Sequence, residues 1–156
     1  MKYLNLFFGA FLSDLLVKKY AEARLPMGKK ISVLGDRIWI RKLHNRGAAG
    51  GFLAEHPGIL LKSTFGMLAG IAGYTLFFLR GEERILEKTG ASLLLAGGFC
   101  NWFDRLHQGF VTDYFSFNCR QEKIRNLVFN FSDFFIFGGT VFMILGSAMT
   151  GRNRKK

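Results

Sequence analysis

Residues 127–149 read LVFNFSDFFIFGGTVFMILGSAM, and this apolar stretch decides the fold. Asp133 is its only ionisable side chain. A helix rises about 1.5 Å per residue, so a stretch of this length crosses a hydrocarbon core of roughly 30 Å. A soluble domain would interleave polar residues at a regular period, whereas the apolar residues here form a block. The stretch therefore predicts a membrane-spanning helix with Asn130 and Asp133 in its first turns.

Three more apolar blocks precede it, at residues 3–17, 57–79 and 89–103. The block at 57–79 is equally long, but the other two are short for a bilayer. They must extend into flanking residues, with Lys18, Lys19 or Lys88 snorkelling to the headgroups, or meet a thinned bilayer. Hydrophobic residues make up 49% of the chain. A soluble domain can have this fraction, but it would not concentrate these residues in blocks. We expect one membrane domain over residues 1–156, all-α, with four transmembrane helices.

The first block also imitates a cleavable secretory signal, because Lys2 precedes it and Ala21-Glu22-Ala23 follows it. Asp14 interrupts the apolar run, however, and Lys18 and Lys19 occupy positions where a signal would be small and neutral. We expect the segment to be retained as a helix.

The formal net charge of +11 raises the question of a nucleic-acid partner. The basic residues form no groove-sized stripe and accompany no zinc spacing or recognition helix, so anionic lipid headgroups are the simpler partner. The basic run at residues 152–156 predicts a cytoplasmic C-terminus, and an even number of spans then places the N-terminus there too. Nine Lys and Arg between residues 18 and 56 would then lie outside, so the charge signal is mixed.

Residues 30–43 differ from the apolar blocks, because Gly35-Asp36 separates two short runs rich in Val, Ile and Trp. This pattern predicts a small strand pair at the level of the headgroups. Two interpretations stay open: a hairpin that lies on the membrane, or a cradle whose open strand edge pairs with an extended substrate peptide.

Polar residues recur where the predicted spans end. They are Asp14, Asn101, Asp104, Asp113, Asn130 and Asp133. With a cytoplasmic N-terminus all of them fall toward the outer face. Ionisable residues at this depth are expensive and by default mark function. The sequence predicts a functional site at that face.

The chemistry of such a site is narrowed by elimination. The chain has no H-E-x-x-H motif, no G-x-S-x-G elbow and no Cys/His cluster, so we expect no metal and no cofactor. Cys100 and Cys119 are expected to be free thiols. Two facing aspartates remain, and because both cannot ionise cheaply, one takes a proton from water while the other polarises a peptide carbonyl. Structural aspartates or proton carriage for transport are the alternatives.

Four motifs then occur in order: Asn45-Arg46-Gly47-Ala48-Ala49, Gly97-Gly98-Phe99-Cys100-Asn101-Trp102-Phe103-Asp104-Arg105, Gly109-Phe110-Val111-Thr112-Asp113-Tyr114 and Phe129-Asn130-Phe131-Ser132-Asp133. The set resembles the motifs of the bacterial lipoprotein signal peptidases, also called signal peptidase II. The match covers nearly the whole chain and includes Asp14.

The resemblance implies four transmembrane helices, a small extracytoplasmic β-cradle between the first two, and an aspartic dyad at the outer surface. Asp113 and Asp133 match the dyad. The positions expected to bind substrate or support the dyad are Asn45, Gly47, Asn101, Arg105 and Asn130. Asp14 and Asp104 match polar positions with a structural role.

The resemblance also implies the substrate, a prolipoprotein whose Cys already carries diacylglycerol and which is cut just before that Cys. We accordingly expect a monomeric, multi-pass protein of the bacterial cytoplasmic membrane that contacts membrane lipids and no nucleic acid.

The chain departs from the family pattern at four positions, Arg46, Gly50, Cys100 and Ser132. Arg46 replaces a small polar residue and Gly50 a bulky one, whereas Cys100 and Ser132 replace Gly and Ala. Because both dyad carboxylates are kept, the departures allow either altered substrate preference or a member that binds without cutting. A non-catalytic or proton-coupled membrane protein using the same Asp and Asn residues is the alternative function.

Overall fold

The computed structural model describes residues 1–79 and 84–153. In chain order the elements are α1 (Lys2–Arg24), β1 (Lys30–Val33), β2 (Ile38–Asn45), a 3-10 turn (Ala49–Gly51), α2 (Pro57–Phe78), α3 (Ile85–Gln108), β3 (Val111–Phe117), α4 (Glu122–Arg125) and α5 (Phe131–Asn153). The chain is therefore mostly helical with one small sheet, as the sequence predicts.

Helix α3 lies at the centre and packs against α1, α2 and α5. Glycines allow the close approach of α3 and α5. A Cβ atom on Gly97 would lie 2.5 Å from the Ser132 carbonyl oxygen, and one on Gly139 would lie 2.6 Å from the Gly90 carbonyl oxygen. Backbone contacts replace large side chains along this seam, as is common where membrane helices associate.

Three helices have bounds that differ from those of the apolar blocks. Helices α1 and α3 run to 23 and 24 residues, well beyond the blocks at 3–17 and 89–103. Lys18, expected to snorkel to the headgroups, is instead only 2% exposed and lies inside the protein. Helix α5 begins at Phe131 and not at residue 127, because the backbone of Phe129 pairs with Phe115 of β3 and cannot also be helical.

The strands form one antiparallel sheet in the order β1-β2-β3. The predicted strand pair is present, with Val33 opposite Ile38 across a turn that contains Gly35 and Asp36. The third strand was not predicted. It pairs with β2 so that Leu43 faces Asp113, after an irregularity between Ile40 and Leu43. The expected β-cradle between α1 and α2 is therefore completed by a strand that follows α3.

Large apolar side chains cover the outside of the helices. Phe77, Phe137 and Ile144 are 69%, 72% and 63% exposed. Two of the described helices, over Pro57–Phe78 and Phe131–Thr150, are long and apolar enough to cross a bilayer by composition. Helices α1 and α3 contain polar residues, including Asp14 and Glu87, that are buried against neighbouring elements. These residues lower the mean hydropathy of the two helices.

Candidate active site

Asp113 and Asp133 come from different elements and are joined by one asparagine. Asp113 lies in β3 and is 2% exposed, and Asp133 lies in the first turn of α5. The Asn130 side-chain amide donates to Asp113 Oδ1 at 2.6 Å, and the Asn130 backbone N–H donates to Asp133 Oδ2 at 3.0 Å. The two carboxyls that the sequence places 20 residues apart therefore share a partner.

The same asparagine starts helix α5. Its Oδ1 accepts a hydrogen bond from the Asp133 backbone N–H at 3.1 Å, while the Asp133 carboxylate accepts from the Asn130 N–H. This reciprocal pair is a capping box with Asp in the place of Glu. The spacing Asn-x-x-Asp thus fixes the helix terminus and the position of the Asp133 carboxylate with the same two bonds.

The opposite side of Asp113 is held by β2 and the loop that follows it. Asn45 donates to Asp113 Oδ2 at 3.1 Å, and its Oδ1 accepts from the Gly47 N–H at 3.1 Å. The guanidinium of Arg105 donates to the Gly47 carbonyl and to the Asn101 carbonyl, the latter at 3.2 Å. Gly47 is required here, because a Cβ atom on it would lie 2.5 Å from the Gly51 backbone.

Asn101 supports Asp133 from α3. Its amide donates to Asp133 Oδ1 at 3.2 Å, and its own oxygen accepts from the Lys18 ammonium at 2.8 Å. All seven residues that the sequence assigns to the dyad and its support therefore lie in one connected network.

Asp14 and Asp104, predicted as structural, lie behind the dyad on either side of Lys18. The Lys18 ammonium is 2.7 Å from Asp14 and 2.8 Å from Asp104. Asp14 also accepts from the Tyr114 hydroxyl at 3.0 Å, from the Phe131 N–H at 3.1 Å, and from the Ser132 hydroxyl. It thereby ties α1 to β3 and to the start of α5, which accounts for its burial.

The electrostatics of the dyad favour a proton on Asp113. Burial raises the pKa of the Asp113 carboxyl to about 7, and the Asp133 carboxyl adds to the rise. The hydrogen bonds from Asn130 and Asn45 oppose it. Near pH 7 the Asp113 carboxyl therefore keeps its proton in part of the molecules, which suits a general acid.

Two cavities open onto Asp113. The first, of about 520 Å³, runs between α2, α3 and α5 and contains both Asp113 and Asp133 among apolar side chains such as Leu60, Ile136 and Phe137. The second, the outer cavity, has a volume of about 480 Å³ and is lined by the glycine-rich loop after β2. A peptide passing through both would place one bond beside the carboxyls.

Lys18 is the site residue that sequence reasoning missed. Its signal was present: Asp14 and Lys18 are four residues apart, so both face the same side of an otherwise apolar helix.

Among residues 1–79 and 84–153 no cluster of three His, Cys, Asp or Glu side chains could hold a metal ion. Cys100 is buried in α3, Cys119 is partly exposed, and both are free thiols.

Comparison with solved structures identifies the fold. The fold matches a bacterial membrane enzyme determined by the in meso method at 2.3 Å, with a TM-score of 0.87 and 21% identity over 99% of this chain and 92% of that one. A second such enzyme, determined at 1.9 Å, matches with a TM-score of 0.81 and 21% identity over 92% and 90% of the two chains. The fold is that of a bacterial membrane enzyme.

The sequence gives the family. The model for signal peptidase (SPase) II matches residues 6–149. The lipoprotein signal peptidase of Lactiplantibacillus plantarum is 30% identical over 92% of both chains, and that of Actinobacillus succinogenes is 32% identical over 93% of this chain and 88% of its own. That of Clostridioides difficile is 33% identical over 85% and 84%. The chain belongs to the signal peptidase II family of peptidases.

Proposed function

We propose that this protein is an aspartic endopeptidase that removes signal peptides from prolipoproteins by cutting before a lipid-modified Cys, with Asp113 and Asp133 as its dyad. One observation carries the catalytic type: Asn130 hydrogen-bonds both carboxyls, Asp113 through its side-chain amide and Asp133 through its backbone N–H, so a single residue holds the pair. Family membership supports the substrate class.

The reaction divides between the two carboxyls. Asp133, which accepts N–H bonds on both oxygens, takes a proton from water as the water oxygen attacks the scissile carbonyl carbon. Asp113 gives its proton to the carbonyl oxygen, so a tetrahedral diol forms without net charge. The C–N bond then breaks as the nitrogen takes the proton from Asp133 and the diol returns its proton to Asp113.

The two cavities fit the two ends of such a substrate. The cavity between α2, α3 and α5 has apolar walls that suit a signal peptide and acyl chains. The outer cavity, with Gly47, Gly50 and Gly51 in its wall, leaves room for the backbone of the mature chain. Because the lipid holds the Cys at the bilayer surface, the carboxyls must act at that depth.

The proposal includes a membrane arrangement. Helices α1, α2, α3 and α5 all cross the bacterial cytoplasmic membrane, both termini are cytoplasmic, and the sheet and dyad lie at the outer face. The lengths of α1 and α3 support four crossings, since both helices are longer than α2. The protein acts as a monomer in contact with membrane lipids.

Cleavage of a purified diacylglyceryl-prolipoprotein in detergent or bilayer tests the proposal. Wild type is expected to cut before the modified Cys, and Asp113→Asn and Asp133→Asn are expected to lose at least about a thousandfold in rate, as dyad residues do. Asp36→Asn is the matched control, because Asp36 lies in the exposed β1–β2 turn. Folded wild type that cuts none of several lipoproteins, or dyad variants that retain activity, would contradict the proposal.

A further inference from the structure

Lys18 is a buried cation beside the catalytic pair. It is 2% exposed, and its ammonium lies within 2.8 Å of Asp14, Asp104 and Asn101 Oδ1. Lysine is almost never buried to this extent unless paired, and an ionisable group inside a membrane bundle is costly. Three oxygen partners match the three N–H donors of the ammonium.

The bond to Asn101 fixes which way that amide points. An ammonium has donors and no acceptor, so only the oxygen of Asn101 can face it. The amide nitrogen must then face Asp133, to which it donates at 3.2 Å. A reversed amide would set two donors against each other at Lys18 and leave two oxygens facing each other at Asp133.

We propose that Lys18 is a positioning residue of the reaction: through Asn101 it directs an N–H donor at Asp133 and so keeps that carboxyl as the proton acceptor. The inference rests on the proposed function, since it assigns a role within the same dyad. With Asn130 N–H on the other oxygen, both oxygens of Asp133 then accept hydrogen bonds. Each of these N–H donors favours the ionised form of the carboxyl, so the loss of one raises the pH at which Asp133 takes up a proton.

The charges around Asp133 explain why the Lys18 ammonium affects proton uptake by the cluster. The charged and titratable groups that surround it at this end of the packed elements are Asp14 and Lys18 from α1, Cys100, Asp104 and Arg105 from α3, and Asp113 and Tyr114 from β3. Four carboxyls face two cations there. Without Lys18 the cluster has one cation fewer, and it takes up a proton at a higher pH than before.

The pH dependence of kcat/KM for the lipoprotein substrate tests this role. Lys18→Met is expected to move the acid limb upward by about one pH unit and thereby to lower kcat/KM by up to about tenfold on that limb. Lys18→Arg, which keeps the charge and the donors, should restore the wild-type limb. Lys62→Met is the matched control, since Lys62 is exposed on α2, and its profile should equal that of wild type.

Two further variants keep the test decisive if Lys18→Met does not fold. Lys18→Met combined with Asp104→Asn removes a carboxylate together with the cation, and Asn101→Leu breaks the link while both Lys18 ion pairs remain. Each should shift the acid limb in the same direction. An unshifted limb in the folded variants would overturn the role of Lys18, whereas wild type that does not cleave would instead overturn the proposed function.

Discussion

At the scale of single residues, Asn130 combines two duties that can be separated. It caps α5 through Oδ1 and holds Asp113 through its amide nitrogen. Serine can cap a helix but cannot also reach Asp113 with an N–H donor. We expect Asn130→Ser to retain stability within about 0.5 kcal/mol while activity falls at least tenfold, and Asn130→Ala to lose activity together with about 1 kcal/mol.

Thermal unfolding in detergent and cleavage rates, measured on the same preparations, separate the two duties. Equal loss of stability in both Asn130 variants would show that capping is not the difference between them.

The protonation of Asp113 predicts an alkaline limit to activity. Its folded pKa of about 7 lies above the ordinary value of 3.8. Because the pKa is higher in the folded protein, protonation of Asp113 adds to the free energy of unfolding. This contribution is complete below about pH 4 and is lost as the pH rises through about 7. Activity that needs the protonated carboxyl should likewise fall above about pH 7. A kcat/KM profile that stays flat up to pH 9 would contradict this assignment.

What the sequence revealed at this scale depended on the kind of residue. The dyad candidates could be selected because carboxylates at a membrane face are rare and the motifs carried them. The sequence does not show that the two carboxyls lie close together, since this depends on how β3 and α5 pack. Lys18 was misinterpreted because a lysine after an apolar run usually snorkels, and only the positions of Asp14 and Asp104 make burial favourable.

At the scale of elements, the α3–α5 seam makes a sharp prediction. Gly138 and Gly139 are adjacent in α5, but only a Cβ atom on Gly139 would meet α3. We expect Gly139→Ala to cost about 1–3 kcal/mol, because the helices must separate. Gly138→Ala should be neutral or stabilise by up to about 1 kcal/mol, because alanine favours helix.

Thermal midpoints of the two variants in one detergent measure this difference. Gly138→Ala is the matched control for Gly139→Ala, because it adds the same methyl group on the neighbouring residue. Equal midpoints would mean that the seam tolerates an added methyl group, contrary to the geometry. Cleavage should fall only for Gly139→Ala, since the seam also sets the distance of Asp133 from Asn101.

The helices were more predictable than β3. Long apolar blocks predict helices directly, although their ends shift once caps and side-chain partners are known. Residues 111–116 are buried throughout, so the strand shows no alternation of polar and apolar residues. The predicted turn at Gly35-Asp36, by contrast, carries a local signal that needs no tertiary partner.

At the scale of the whole molecule, the outer cavity makes a prediction about substrate choice. Arg46 lines it, is exposed, and replaces a small polar residue of the family pattern. A mature chain leaving through this cavity would bring its first residues near that guanidinium. We expect acidic residues just after the Cys to raise kcat/KM about threefold over neutral ones, the size of an exposed ion pair.

The preference should disappear in Arg46→Ser and persist in the control Arg37→Ser, whose arginine is exposed in the β1–β2 turn. Paired substrates that differ only at those residues measure it. A preference that survives Arg46→Ser would place the mature chain elsewhere.

The orientation in the membrane decides whether the site can meet its substrate at all. Cys119 follows β3 on the side of the dyad, whereas Lys2 lies at the opposite end of α1. In intact cells an impermeant maleimide should therefore label Cys119 but not the buried Cys100, and Cys119→Ser should abolish labelling. Lys2→Cys in that background should react only after permeabilisation. The reverse pattern would put the carboxyls at the cytoplasmic face. The site and a Cys presented at the outer surface would then lie on opposite sides of the membrane, and the proposed reaction could not occur.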